Sequence, residues 1–132
     1  MRLARELGAL GVDVIDCSAG GMRGGSSVPL GYGYQVPFAE KLKKEAGIRT
    51  VAVGLIVHAD QAEAILQQGR ADLVALAREM LYNPNWPMDA ARKLGLDGFG
   101  LVPPAGGWWL GKRAEAVPAM EPSTYRHEPT RG

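Results

Sequence analysis

Thr50-Val51-Ala52-Val53-Gly54-Leu55-Ile56 is a continuous apolar run, and Leu73-Val74-Ala75-Leu76-Ala77 repeats the pattern further along the chain. Neither run alternates apolar with polar residues, so both read as strands buried on two faces. Between them, Asp60 with Glu63 three residues later is a helix-start signal of the capping-box kind. Ala62, Ile65 and Leu66 mark that helix's inward side, and Gly69 its end. Strand, helix and strand in this order specify a parallel pair joined by a crossover.

The same unit precedes it. Leu3, Leu7 and Leu10 fall at i, i+4 and i+7 on one helix face, Gly11 ends that helix, and Val12-Asp13-Val14-Ile15-Asp16-Cys17 reads as a strand. A glycine-rich loop over 18–35 leads to a second helix with Pro37 in its first turn. That helix runs to about Ala46, with Phe38 and Leu42 on one face and Glu40 paired with Lys44 at i,i+4; Gly47 closes it. Leu7-Gly8-Ala9-Leu10-Gly11-Val12-Asp13 and Leu66-Gln67-Gln68-Gly69-Arg70-Ala71-Asp72 both end a helix in glycine and enter a strand through an aspartate. Downstream, Arg78 to Leu81 begins a short helical turn broken at Asn83-Pro84, and a last helix runs from about Met88 to Leu94. Beyond Gly95, Gly, Pro and Trp dominate without a sustained period.

The expected fold class is therefore α/β, a parallel sheet with both faces covered. Three strands alone leave two Val- and Ile-rich edges unpaired. A closed (β/α)8 barrel needs eight strands and about 250 residues. With Met1 opening directly into a helix that has no cap before it, the expectation is the C-terminal part of such a TIM barrel. Residues 1–95 would supply about its last three βα units, followed by an irregular Gly/Pro-rich tail over 96–132.

Composition narrows the function classes. The 132 residues are 46% hydrophobic and 22% charged, as in globular proteins. A net charge of +1 gives no electrostatic case for nucleic acid or an anionic membrane. No apolar run approaches the roughly 18 residues of a membrane helix, and no signal peptide opens the chain. Cys17 stands alone, so no internal disulfide or cysteine metal cluster is expected, and a cytoplasmic setting is the default.

In parallel α/β architectures ligands collect at the carboxyl ends of the strands. Three features lie there: Ser18-Ala19-Gly20-Gly21, Gly54, and Ala77-Arg78. At Gly54 a missing Cβ would let a backbone N–H approach an anion closely. Arg78 opens a helical turn, where a cation opposes the macrodipole by about 0.3–1 kcal/mol. A bound anion reverses the sign, since amides and guanidinium then both face it. The competing reading is that Arg78 pairs with a carboxylate such as Glu79 or Asp72.

Several motifs in register carry a resemblance. Gly33-Tyr34-Gln35-Val36-Pro37-Phe38-Ala39-Glu40, Ala52-Val53-Gly54-Leu55-Ile56, Ala71-Asp72-Leu73-Val74-Ala75-Leu76-Ala77-Arg78-Glu79-Met80-Leu81 and Asn83-Pro84-Asn85-Trp86-Pro87 together resemble the carboxy-terminal third of the old yellow enzyme family. The likeness is closest to its bacterial, thermophilic-like branch of FMN-dependent ene-reductases, also known as NADPH dehydrogenases, and spans roughly residues 1–95. It implies a TIM barrel whose FMN phosphate is held at Gly54 and at Ala77-Arg78. Ala77 stands where the family usually has glycine. The resemblance also places Ser18 to Gly21, hence Ser18 and Gly20, near the flavin.

The implied chemistry is hydride transfer from NADPH to FMN and then to an activated alkene. The proton-donor tyrosine and the carbonyl-polarising pair come from earlier barrel units, and neither His58 nor His127 matches that pair. In this branch a C-terminal arginine reaches into the neighbouring subunit's active site of a homo-oligomer; Tyr125-Arg126 is the candidate here. Cys17, often serine in the family, reads as a small buried residue. Trp108 and Trp109 suggest either docking onto the barrel's own helices or an oligomer contact. Lys112, Arg113, His127 and Arg131 are too scattered for a nucleic-acid surface. The leading expectation is an FMN-dependent oxidoreductase whose phosphate half-site lies in this chain, inactive alone. The alternative is a non-enzymatic phosphate- or nucleotide-binding module, or a functionless remnant of such an enzyme.

Overall fold

The computed structural model describes residues 1–19 and 30–116. Of the positions singled out above, Gly20, Gly21, Tyr125, Arg126, His127 and Arg131 lie outside the described residues.

Three parallel strands, β1 (Val14–Cys17), β2 (Arg49–Ala52) and β3 (Leu73–Val74), lie side by side in chain order. Helix α1 (Arg2–Ala9) precedes β1; α2 (Val36–Ala46) and α3 (Ala59–Gln67) cross between successive strands. The local signals account for these elements. Pro37 sits in the first turn of α2, and Gly47 caps its end in the left-handed region at φ 69°. Glu40 binds Lys44 at 2.6 Å as the spacing predicts, and also Arg70, just before β3, at 2.9 Å. Asp72 ties the sheet to α2: its carboxylate accepts from the Thr50 N–H at 2.9 Å and meets the Lys43 ammonium at 3.0 Å.

The strand ladders are shorter than the apolar runs. β2 stops at Ala52 because the chain turns away at Gly54 (φ 112°) and Leu55 (φ 52°), and β3 ends once its partner has left. The start of α3 also differs. Its cap is His58, not Asp60, and the reciprocal side chain is Gln61, whose Oε1 accepts from the N–H groups of Val57 (3.0 Å) and His58 (3.5 Å). Asp60 instead pairs with Lys93 across to a later helix at 2.7 Å.

Register decides the faces, since successive side chains alternate across a strand. Ile15 pairs with Thr50, Cys17 with Ala52 and Ala52 with Val74, so these share one face. There α2 and α3 pack, and Cys17, Ala52, Val36, Ala39, Ala62 and Ile65 form the core. Val14, Asp16, Val51 and Leu73 share the other face. On it Val14 remains 37% and Leu73 55% exposed. The expected cover on both faces is therefore found on one only, among the described residues. The α1 stripe behaves alike: Leu3 and Leu10 are exposed and Ala4 is the buried residue, because α1 packs chiefly on α2 among the described residues.

After β3 come α4 (Arg78–Tyr82) and α5 (Trp86–Lys93), the latter starting two residues before the expected Met88. The region after Gly95 is not irregular throughout. A 3-10 turn over Gly98–Leu101 and a helix α6 over Pro104–Ala116 follow. Close approach explains two of the glycines there. A Cβ on Gly98 would lie 2.4 Å from the Met88 carbonyl oxygen, and one on Gly107 2.9 Å from that of Phe99. Packing of α6 on the 3-10 turn thus overrides the low helix propensity of its Gly-Gly pair. Trp108 and Trp109 contact each other edge to face on α6 and stay exposed.

Candidate functional site

The carboxyl ends of β2 and β3 open onto one cleft of about 270 Å³. Leu55, Ile56 and Val57 line it from the turn after β2; Ala75, Leu76, Ala77, Arg78, Glu79 and Tyr82 line it from β3's exit and α4. Ala77 and Arg78 are thus brought together with the turn that Gly54 begins. Arg78 is the first residue of α4 and is exposed. It forms no ion pair with any described residue. Of its two proposed carboxylate partners, Asp72 is engaged by Lys43 and the Thr50 N–H, while Glu79 shares the cleft without bridging to Arg78. An arginine at the opening of a cleft, bridged by no described carboxylate, is free to meet an anion there, although Glu79 lines the same cleft.

Gly54 sits one residue before the cleft wall and is buried. Its φ of 112° is one that L side chains rarely adopt. Any Cβ would also lie 3.0 Å from both Gln35 Cγ and Tyr34 Cε1. The glycine is therefore dictated by the packing of the segment that leads into α2. Gln35, 4% exposed, reaches the end of β1 as well, where its Oε1 accepts from the Ala19 N–H. Gln35 thus bonds the chain after β1 while packing against the turn after β2. Ser18 is exposed beside that joint and does not line the cleft.

Leu55 occupies the left-handed region at φ 52°, a conformation costing a non-glycine residue about 1–2 kcal/mol. Three groups hold it and its neighbours. The Leu55 carbonyl accepts from Gln61 Nε2 at 3.2 Å and from the Gly33 N–H at 3.4 Å. The Val57 carbonyl accepts from Trp86 Nε1 at 2.6 Å. Sequence reasoning missed Gln61 and Trp86 in this role. Trp86 was visible only as part of a motif, and Gln61 was hidden behind the stronger cap signal of Asp60.

His58, exposed at the cap of α3, stacks edge to face on Tyr32 with ring centroids 5.2 Å apart and lies outside the cleft. Cys17 is a free, buried thiol whose pKa is pushed up by burial and, secondarily, by the Asp16 carboxylate, so it stays protonated and inert. No helix of the described residues is long and apolar enough to cross a membrane.

Comparison with known proteins shows what the chain is similar to. The chain is 52% identical over 93 residues to an NADPH dehydrogenase of Halalkalibacterium halodurans, covering 70% of this chain and 27% of the relative. It is 53% identical over 92 residues to an NADPH dehydrogenase of Geobacillus sp. (strain WCH70), again 70% and 27%. An NADPH dehydrogenase of Listeria monocytogenes serotype 4b is 48% identical over the same shares. The chain thus spans about a quarter of the length of the curated relatives it matches. The resemblance drawn from the motifs holds: with residues 5–97 matched, the chain belongs to the NADH:flavin oxidoreductase / NADH oxidase family.

Proposed function

We propose that this chain carries the phosphate-holding half of an FMN site in a flavin-dependent oxidoreductase that uses NADPH as reductant and activated alkenes as acceptors. The observation that carries the reading is Arg78: an exposed guanidinium that no described carboxylate bridges, on the rim of a cleft shared by the ends of β2 and β3. Family membership and relatives named NADPH dehydrogenase support it.

The residues present fit the phosphate end of such a cofactor. Arg78 supplies a charge-assisted donor, and the backbone at Leu55, Ile56 and Ala77 walls the same space. Gly54 keeps that wall in place by letting Gln35 and Tyr34 pack behind it. Ser18 and Gly20, on the chain leaving β1, belong to the proposal as flavin neighbours, and Arg126 as the arginine lent to an adjacent subunit of a homo-oligomer. When bound, FMN supplies hydride acceptance and donation; this chain's part is to anchor it. The proton donor and the groups that polarise the substrate belong to other units of the fold, so the 132-residue chain alone is inactive in this reading. The uncovered apolar face with Val14, Val51 and Leu73 is the interior of a (β/α)8 barrel in the same proposal. A cytoplasmic setting goes with it.

The test is a chimera in which residues 5–97 replace the matching part of the Halalkalibacterium halodurans enzyme. Arg78→Ala in that chimera should weaken FMN binding by about 1.5–3 kcal/mol, read by flavin fluorescence titration. Unchanged affinity removes Arg78 from the site. Separately, tight FMN binding and enone reduction by the purified 132-residue chain would sink the claim that it is inactive alone.

A further inference from the structure

We infer that Gln61 is a positioning residue for the anion cleft: its carboxamide sets the shape of the turn after β2 and thereby aims that turn's backbone amides. The inference rests on the anion reading of the cleft given above. One side chain makes both bonds. Gln61 Nε2 donates to the Leu55 carbonyl at 3.2 Å while Oε1 accepts from the Val57 N–H at 3.0 Å. The bridge closes over Ile56, whose side chain is anchored in the core at 2% exposure. The turn is thereby held from its buried side chain and from its two flanking peptide groups.

Leu55 makes such a brace necessary. Its φ of 52° is a conformation that a leucine does not keep without external restraint, and Gln61 is the described side chain that bonds its backbone. Packing does not call for a glutamine here. Ala62 and Ile65 supply the buried face of α3, and Gln61 is only half-buried beside them. The bonds also leave the useful groups free. The N–H groups of Gly54, Leu55 and Ile56 donate to no described residue, while Leu55, Ile56 and Val57 share the cleft with Arg78. What Gln61 consumes are the Leu55 carbonyl and the N–H groups of Val57 and, at 3.5 Å, His58; what it leaves are the amides before them.

Amide hydrogen exchange and a titration with inorganic phosphate at constant ionic strength, both read by NMR on the ¹⁵N-labelled chain, test this. Gln61→Leu removes the carboxamide's bonds at similar bulk, and Gln61→Met repeats the loss with an unbranched side chain in case the first variant repacks α3. In each, the Val57 amide should exchange about three- to tenfold faster, with exchange in α2 unchanged. The phosphate concentration that half-saturates the Leu55, Ile56 and Arg78 shifts should rise about three- to tenfold. Unchanged Val57 exchange in both variants overturns the inference. So does faster exchange with unaltered phosphate affinity, which would leave Gln61 a mere brace. If the unaltered chain shows no phosphate response, the anion reading itself fails, and the Val57 exchange rate alone then decides whether Gln61 holds the turn.

Discussion

Both faces of the sheet carry apolar side chains, the open one with Asp16 and Arg49 among them, and the two end in different surroundings. On one, Thr50 and Ala52 are fully buried and Cys17 nearly so, beneath α2 and α3. On the other, Val14 and Leu73, equally apolar and in the same strands, stand 37% and 55% exposed. Burial is thus set by which face the crossover helices pack on, and hydrophobicity alone does not reveal it. The covered face carries the stability of the described fold, while the open face leaves Val14 and Leu73 partly in water beside Asp16 and Arg49.

The largest effect that can break this contrast is at Ile65, 3% exposed on the covered side. Ile65→Ala should destabilise by about 2–5 kcal/mol in urea unfolding, through lost burial and the cavity left behind. A loss under about 1 kcal/mol would mean that the helix-covered core is not what holds the fold.

A second test sharpens the link between sheet and helices. Partial burial disfavours the charged form of Asp72, but its bonds to the Thr50 N–H and Lys43 outweigh that and hold its pKa below the ordinary aspartate range. With the folded value below the unfolded one, the stabilisation is fully present above about pH 4 and fades as pH falls through the folded value. Asp72→Asn should cost about 1–2 kcal/mol at pH 7 and flatten the acid side of the stability profile. An unaltered profile would remove Asp72 as the clasp.

How far the sequence was legible follows the same division. The three strands, the crossover helices and the glycine stops at Gly47 and Gly69 were readable because each is a local choice, periodicity or turn chemistry. The ends of β2 and β3 were not, since an apolar run does not reveal where its hydrogen-bonded partner departs. The open face was equally hidden: a strand apolar on both sides states what it needs and is silent on whether a cover is present. In the site, Ala77-Arg78 and Gly54 could be placed at strand ends from order alone. Gln35 and Gln61 could not, because a lone glutamine carries no pattern and its role emerges only when distant backbone groups are folded against it. The helix α6 was missed for a related reason: Gly98 and Gly107 look like loop residues until neighbouring carbonyls are seen to need the space.

The smallest expected effect addresses the open face directly. Leu73→Thr should change unfolding free energy by less than about 0.5 kcal/mol, since the side chain is already half in water and threonine suits a strand. A loss comparable to that at Ile65 would show that this face is covered in solution.

One contact has an optical consequence. Trp86 gives its indole N–H to the Val57 carbonyl, and Val57 is part of the cleft wall, so a half-buried chromophore is wired to the turn that Gln61 shapes. Trp108 and Trp109 sit together in water on α6. The chain therefore carries two spectrally separable kinds of tryptophan, one reporting on the cleft and one on the distal helix. Replacing the exposed pair by phenylalanine leaves a single tryptophan, whose emission, excited apart from the tyrosines, follows the cleft without any label.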